Sequence, residues 1–236
     1  MGKALVLIPA YNEEENITSV INDLRVNAPD FDFVVINDCS KDATLNICKE
    51  EGYPHINMPI NSGIGTVVQT GYKYALKMGY KIAVQFDGDG QHDASYLKRL
   101  IEPIERGEAD FVIGSRFIDK EGFQTSLLRR TGINVFRTLI YLLTRKRVTD
   151  ATSGFRAAGR KAIEFLSEHY ATDYPEPESV VSLIRNDFRL KEVPVVMRER
   201  LGGKSSINLS RSIYYMFKVV LAVAICRVKP KIKKEV

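Results

Sequence analysis

Two aspartates stand one residue apart in Asp87-Gly88-Asp89, and Gln91 and His92 follow directly. Carboxylates separated by a single glycine can turn toward the same side of an extended segment. Their oxygens are hard ligands that suit Mg2+ or Mn2+ bridging a diphosphate. Such an ion offsets the charge that builds on a departing nucleoside diphosphate. Asp-Gly pairs also close ordinary solvated turns. Against that plainer reading stand the expected buried strand Ile82 to Phe86 leading into the pair and the lack of a matching hairpin strand beside it.

Three more polar clusters have a similar character. Pro9-Ala10-Tyr11-Asn12-Glu13-Glu14-Glu15 follows one apolar run and opens a helical pattern. Its acids suit a helix N-terminus, while its backbone amides and Tyr11 can equally line a nucleotide pocket. In Asn37-Asp38-Cys39-Ser40-Lys41-Asp42, Asp38 can accept hydrogen bonds from a base or ribose, and Ser40 or Asp42 can cap the next helix. Asn61-Ser62-Gly63-Ile64-Gly65-Thr66 is glycine-rich but matches neither GxGxxG nor the P-loop. A dinucleotide oxidoreductase is therefore disfavoured. Close backbone approach to a ligand and simple helix entry both stay open there.

These clusters need a scaffold that gathers them. Ala4 to Ile8 is a continuous apolar run, and Phe33 to Ile36, Ile82 to Phe86 and Phe111 to Ile113 are further strand candidates, expected as buried strands. Glu13 to Leu24, Ala43 to Glu51 and Thr66 to Met78 are expected as helices, the second ended by Gly52. This alternation predicts an α/β fold, a parallel sheet covered by helices on both faces. Ligands then collect at the carboxyl ends of the strands, where the clusters at Tyr11, Asn37 and Asp87 fall. Beyond about residue 118 the pattern changes. Ile133 to Leu143 reads as a strongly apolar helix and Asp150 to Arg156 as a polar turn. Tyr174 to Glu178 reads as a stiff extended acidic element, since proline biases the residue before it away from helix. Val193 to Met197 is expected as a strand leading into the loop Arg198 to Ser206. Residues 1–206 are expected as one globule, with a nucleotide half at 1–118 and an acceptor half at 119–206.

Composition bounds the rest. The 236 residues, 44% hydrophobic and 27% charged, suit an ordinary globular protein. Cys39, Cys48 and Cys226 are scattered and lack metal-ligand spacing, which fits a reducing compartment. Met1-Gly2-Lys3 is too short for a signal peptide, so a cytoplasmic protein is expected. The last ten residues carry Arg227, Lys229, Lys231, Lys233 and Lys234 against Glu235, which is +4 of the net +5. The body is almost neutral, and nucleic acid is not an expected partner. Before that tail, the fourteen residues Ile213 to Cys226 are apolar except for Lys218. As a helix they cover about 21 Å, short of a hydrocarbon core of about 30 Å. An amphipathic helix lying at the membrane surface, with Tyr214, Tyr215, Phe217 and the lysines, is expected for the tail 207–236. A helix packed on the globule or at a dimer interface is the alternative.

Taken together, IPAYNEEENI (8–17), INDCSKDAT (36–44), NSGIGTVVQTGYKYA (61–75), QFDGDGQHD (85–93), VIGSRF (112–117), DATSGFRA (150–157), YPEPES (174–179) and RERLGGKSSI (198–207) resemble glycosyltransferase family 2. Within it they are most similar to the polyprenyl-phosphate (dolichyl-phosphate) sugar synthases. The segments run in register across residues 4–207. The resemblance implies a GT-A fold, Rossmann-like, and an inverting transfer from a UDP- or GDP-sugar, UDP favoured, to polyprenyl phosphate at the inner face of the membrane. It implies that Asp38 contacts the base, that Pro9, Tyr11, Glu13 and Gly65 line the donor pocket, and that Asp87, Asp89 and Gln91 form the metal and diphosphate group. It also implies that Arg116 and Arg200 approach the diphosphate and the acceptor phosphate, a surface salt bridge being the alternative for each, with Lys204 and Ser205 able to join the clamp.

The chain departs from the pattern at three points. The family's second-helix arginine aligns near Thr131, whereas Arg129 and Arg130 stand here. Ser206 stands where the family often has lysine. A Q-x-x-R-W box is absent, and the chain contains no tryptophan. A hydroxyl acceptor needs a general base, but a phosphate monoester is already an anion, and positioning with charge stabilisation suffices for it. Asp150 is the reserve candidate for a base, or else a helix or turn cap. The competing functions are transfer to a soluble or growing glycan and a non-catalytic nucleotide-sugar-binding subunit. A small membrane-protein partner or a homo-oligomer fits the tail.

Overall fold

A computed structural model describes residues 4–119, 127–173, 175–198 and 221, with the backbone alone over 127–135. The first half runs β1 (Leu5–Ala10), α1 (Ile17–Asn27), β2 (Asp32–Asn37), α2 (Thr44–Glu50), β3 (His55–Asn57), α3 (Ile64–Lys77), β4 (Ile82–Gln85) and α4 (Leu97–Glu105). The second half runs β5 (Phe111–Ser115), α5 (Leu127–Thr144), β6 (Arg156–Gly159), α6 (Arg160–His169), α7 (Pro175–Arg185) and β7 (Leu190–Pro194).

The strands form one sheet in the order β3-β2-β1-β4-β6-β5-β7. Successive side chains of a strand point to opposite faces, so a strand buried on both sides must be apolar throughout. β1 meets this condition. Its Leu5 and Leu7 join Val67, Val68 and Tyr72 of α3 on one face, along with residues of α5, α6 and α7. Its Val6, Ile8 and Ala10 join Ile17, Ile21 and Leu24 of α1 on the other, along with Leu97, Leu100 and Ile101 of α4. Full burial of each such aliphatic side chain contributes about 1.5–3 kcal/mol. The expected α/β architecture, helices on both faces of a mostly parallel sheet, is what the chain adopts.

One strand departs from the parallel direction. β6 runs antiparallel to both neighbours, pairing Arg156 with Gln85 of β4 and with Ile113 of β5. Its first residue therefore lies at the carboxyl ends of those strands, and the 150–155 segment is delivered to the same edge as the polar clusters.

Other boundaries also moved. α1 begins at Ile17 rather than Glu13, because the carbonyl of Glu13 accepts from the amides of Asn16 (3.0 Å) and Ile17 (2.9 Å) in a turn. Pro175 to Glu178 is the first turn of α7, not an extended element. First-turn amides have no intrahelical acceptor, so prolines at these positions cost no hydrogen bond. The last strand sits at Leu190–Pro194, upstream of the expected Val193 to Met197. α5 starts six residues earlier than Ile133. The tail lies outside the described residues except for Leu221, which is helical and half exposed. Among the described residues no helix is long and apolar enough to cross a membrane.

Arg156 ties the second half together. It is fully buried and donates to the carbonyls of Ala151 (2.7 Å), Ser153 and Glu176 (2.9 Å) and to the Ser179 hydroxyl (2.8 Å). Removing a guanidinium strands these buried acceptors, each at a cost of about 1–3 kcal/mol. Arg156→Met should therefore destabilise the protein by about 3 kcal/mol or more, read as a lower denaturant midpoint.

Candidate active site

The loops after β1, β2, β4 and β5 and the segment before β6 share one edge of the sheet. β2 and β4 flank β1, so their ends are about 10 Å apart at ordinary strand spacing. This separation lets one elongated ligand touch both.

At the end of β2, Asp38 is almost fully buried. Its two carboxylate oxygens accept from the backbone amides of Ser62 (2.7 Å) and Gly63 (2.9 Å). Asp38 thus pins the entry to α3. Ser40 donates to Asn37 Oδ1 and accepts from the Asn12 amide, while Asn12 Oδ1 accepts from the Lys41 amide (2.8 Å), stitching the first two loops together. The amide of Glu13 donates to Thr44 Oγ1 (2.9 Å), and its carboxylate accepts from Asn16 Nδ2 (2.7 Å). Glu13 is therefore committed to the loop framework, whereas Tyr11 is 41% exposed at the rim. Gly65 lies close against another part of the chain at the start of α3. A Cβ there would lie 2.3 Å from the carbonyl oxygens of both Ala171 and Thr172. The close approach that requires glycine is to the protein's own chain.

At the end of β4, Asp87 is bracketed by groups the motif alone does not reveal. Its backbone amide donates to His92 Nδ1 (3.0 Å). Nδ1 is thereby an acceptor, so the imidazole proton sits on Nε2, which faces Asp87 Oδ2 at 3.6 Å. Burial pushes the His92 pKa down, with the charges of Asp87 and Asp89 opposing and that of Arg116 assisting. The ring stacks on Phe155 at 4.7 Å and meets Phe86 edge-on at 5.3 Å. Asp89 Oδ1 accepts from the Gln91 amide (3.1 Å). A Cβ on Gly88 would lie 2.9 Å from the Pro9 carbonyl, so the β1 and β4 loops touch. Beyond them Arg198 donates its amide to the Gln91 carbonyl (2.9 Å) and bridges Asp23 (3.2 Å) and Asp93 (2.8 Å). The far end of the acidic loop is thus fastened to α1.

At the end of β5, Arg116 is 8% exposed and Asp150 fully buried. Arg116 Nε and Nη2 bond the two oxygens of Asp150 at 2.6 and 2.7 Å, and Nη2 also reaches Thr152 Oγ1 at 3.0 Å. Glu192 of β7 accepts from the Thr149 and Asp150 amides (2.8 Å each), holding that turn against the sheet. Both Asp150 oxygens are occupied by a guanidinium, and the side chain has no exposed surface. This arrangement seats an arginine; it does not present a base to an acceptor, as the reserve reading of Asp150 requires.

The donor set suits a hard divalent ion. Among the described residues no group of three or more His, Cys, Asp or Glu is placed to hold a metal. Mg2+ sites commonly take only one or two carboxylates and complete their shell with water and substrate phosphate oxygens. Two aspartates on a glycine-spaced turn, with Asp87 35% exposed, fit that pattern. The side chains of Arg129 and Arg130, and Arg200, Lys204 and Ser205 altogether, lie outside the described residues.

Comparison with known proteins identifies the fold and the family. Glucosyl-3-phosphoglycerate synthase from Mycobacterium tuberculosis, solved with Mn2+, UDP-glucose and phosphoglyceric acid, superposes with a TM-score of 0.74. The match covers 97% of this chain and 81% of that one at 19% identity. The fold is GT-A. The family profile described as Glycosyl transferase family 2 matches residues 5–166. A UDP-N-acetylglucosamine–dolichyl-phosphate N-acetylglucosaminyltransferase from Methanococcus voltae is 32% identical over 80% of this chain and 83% of its own length. A polyprenol monophosphomannose synthase from Mycolicibacterium smegmatis is 29% identical over 92% of this chain and 85% of its own. The chain belongs to glycosyltransferase family 2 and is a glycosyltransferase.

Gly154, within the 150–157 segment, supplies a direct check on the site. A Cβ there would lie 2.6 Å from Asp87 Oδ2 and 3.1 Å from Oδ1. What must yield is a flexible carboxylate, not backbone. Gly154→Ala should therefore slow sugar transfer on the order of 100-fold, as small displacements of reacting groups do, while the thermal unfolding midpoint stays close to the parent's.

Proposed function

We propose that this glycosyltransferase carries a sugar from a nucleoside diphosphate donor, a UDP-sugar in preference to a GDP-sugar, to polyprenyl phosphate for cell-envelope glycan synthesis. The reaction inverts the anomeric carbon. The phosphate oxygen of the acceptor attacks that carbon, the bond to the diphosphate breaks, and its electron pair leaves with the nucleoside diphosphate. The relatives from Methanococcus voltae and Mycolicibacterium smegmatis, named for transfer to dolichyl phosphate and for polyprenol monophosphomannose synthesis, support the acceptor class.

The observation that carries this reading is the pairing of the Asp87–Asp89 turn with an arginine locked by Asp150, on either side of antiparallel β6. Asp89, Gln91 and Asp87 would hold Mg2+ or Mn2+, with Asp87 also orienting the donor. When bound, the ion supplies Lewis-acid compensation for the charge on the leaving diphosphate. Asp38, Pro9, Tyr11 and Glu13 form the nucleoside end of the pocket. Arg116 faces the phosphates, and Arg129, Arg130, Arg200, Lys204 and Ser205 seat the acceptor phosphate. An anionic acceptor needs no deprotonation, so the commitment of Asp150 to Arg116 is compatible with turnover. A soluble glycan hydroxyl would require a base, and Asp150 does not offer one. Residues 1–118 serve the nucleotide and 119–206 the acceptor. The tail 207–236 keeps the enzyme at the cytoplasmic membrane surface.

Purified protein with Mn2+ should release nucleoside diphosphate from the sugar donor only when polyprenyl phosphate is supplied. Asp89→Ala should lower that rate at least about 100-fold, the scale expected for losing transition-state charge stabilisation. Equal activity of Asp89→Ala would refute the metal assignment, and full activity with a water-soluble glycan would refute the acceptor. Deleting residues 213–236 should move the protein from the membrane to the soluble fraction on sedimentation with anionic vesicles; unchanged partition would contradict the role of the tail.

A further inference from the structure

Asp87 is also held from behind. Gln85 lies two residues back in β4, on the same side of the strand, and is almost completely buried. Its Nε2 donates to Asp87 Oδ1 at 3.2 Å. Its Oε1 accepts from the Tyr170 hydroxyl at 3.3 Å. Tyr170 directly follows α6 and packs edge-on against Tyr72 at 5.5 Å. Burial pushes its phenol well above the usual value, so it keeps its proton.

A primary amide has two orientations related by a half-turn, with donor and acceptor ends exchanged. One would aim the Gln85 oxygen at an acceptor-only carboxylate. The other gives Asp87 a donor and leaves the oxygen to a hydroxyl that can donate. Both ends of the chain therefore favour one orientation.

We infer that Tyr170 and Gln85 form a positioning relay that fixes the Asp87 carboxylate for a divalent cation and the donor diphosphate, an inference resting on the metal role proposed above for Asp87. His92 Nε2 faces the second oxygen at 3.6 Å, and Gly154 leaves room for both. The relay governs Oδ1. It ties the acidic turn to the end of α6, whose next residues Ala171 and Thr172 press on Gly65 at the start of α3.

The test is Mn2+ binding by the full chain in the presence of UDP, and in parallel of GDP, followed by the electron paramagnetic resonance signal of free Mn2+. Loss of an outer partner of a metal ligand commonly weakens binding by about 10–100-fold. Gln85→Met should weaken Mn2+ about tenfold and Tyr170→Phe about fivefold, the latter losing one neutral hydrogen bond. The double variant should bind no more weakly than Gln85→Met alone, because Tyr170 acts only through Gln85. Multiplying effects would overturn the relay, as would parental affinity in both single variants. Tyr170→Phe removes a single oxygen and carries the test by itself if Gln85→Met does not fold, parental affinity there again overturning the relay. Asp87→Asn separates the two levels: unchanged Mn2+ affinity in that variant refutes the metal reading, whereas its loss beside unaffected relay variants refutes the relay alone.

Discussion

Two carboxylates on one tight turn, at the end of a buried strand, repel each other, and the surrounding protein must hold them in place. Like charges brought together in a partly desolvated setting favour protonation or displacement. Among the described residues, the side chains that contact the Asp87 carboxylate are neutral, an amide and an imidazole. They orient it without cancelling its charge. The turn is also tied down by backbone contacts, from Asp87 to His92, from Arg198 to Gln91, and from Ala94 to Asp23. An edge held this way would suit the cation proposed for it, and charge that develops during reaction.

That edge exists because one strand runs against the rest. A parallel insertion between β4 and β5 would have carried the residues before it to the opposite end of the sheet. Antiparallel β6 instead brings Asp150, Thr152 and Gly154 to the carboxyl ends of its neighbours. The Arg116–Asp150 pair and the fit of Gly154 against Asp87 both follow from this reversal. Breaking a buried ion pair by removing one partner is costly, so Asp150 has a clear structural task in holding the Arg116 guanidinium.

The sequence was most readable where local pattern and burial coincide. The cores of β1, β2 and β5 are continuous apolar runs and β4 is apolar up to Gln85, so all four are legible as strands, as are the polar clusters that follow the first three. β6, Arg-Ala-Ala-Gly, lacks the bulky apolar residues that signal a strand, and its direction is a tertiary fact. The proline-rich start of α7 looks extended from local pattern alone, whereas prolines in a helix's first turn remove no intrahelical hydrogen bond and are tolerated there. Helix α1 begins late because Glu13 spends its carbonyl on a turn.

At the site, residue types were legible and relationships were not. Asp87, Asp89 and Gln91 announce themselves through spacing, and Arg116 and Asp150 through short segments. That Asp150 is consumed by Arg116, that Gly65 serves chain packing, and that Gln85, Tyr170, Gly154 and His92 surround Asp87 depend on contacts between distant positions. The most direct measurement of the account is anomalous diffraction from crystals grown with Mn2+ and UDP. It predicts a manganese peak about 2 Å from Asp89 and Asp87 oxygens and shared with the diphosphate. Manganese bound elsewhere, with both aspartates turned from the nucleotide, would contradict it.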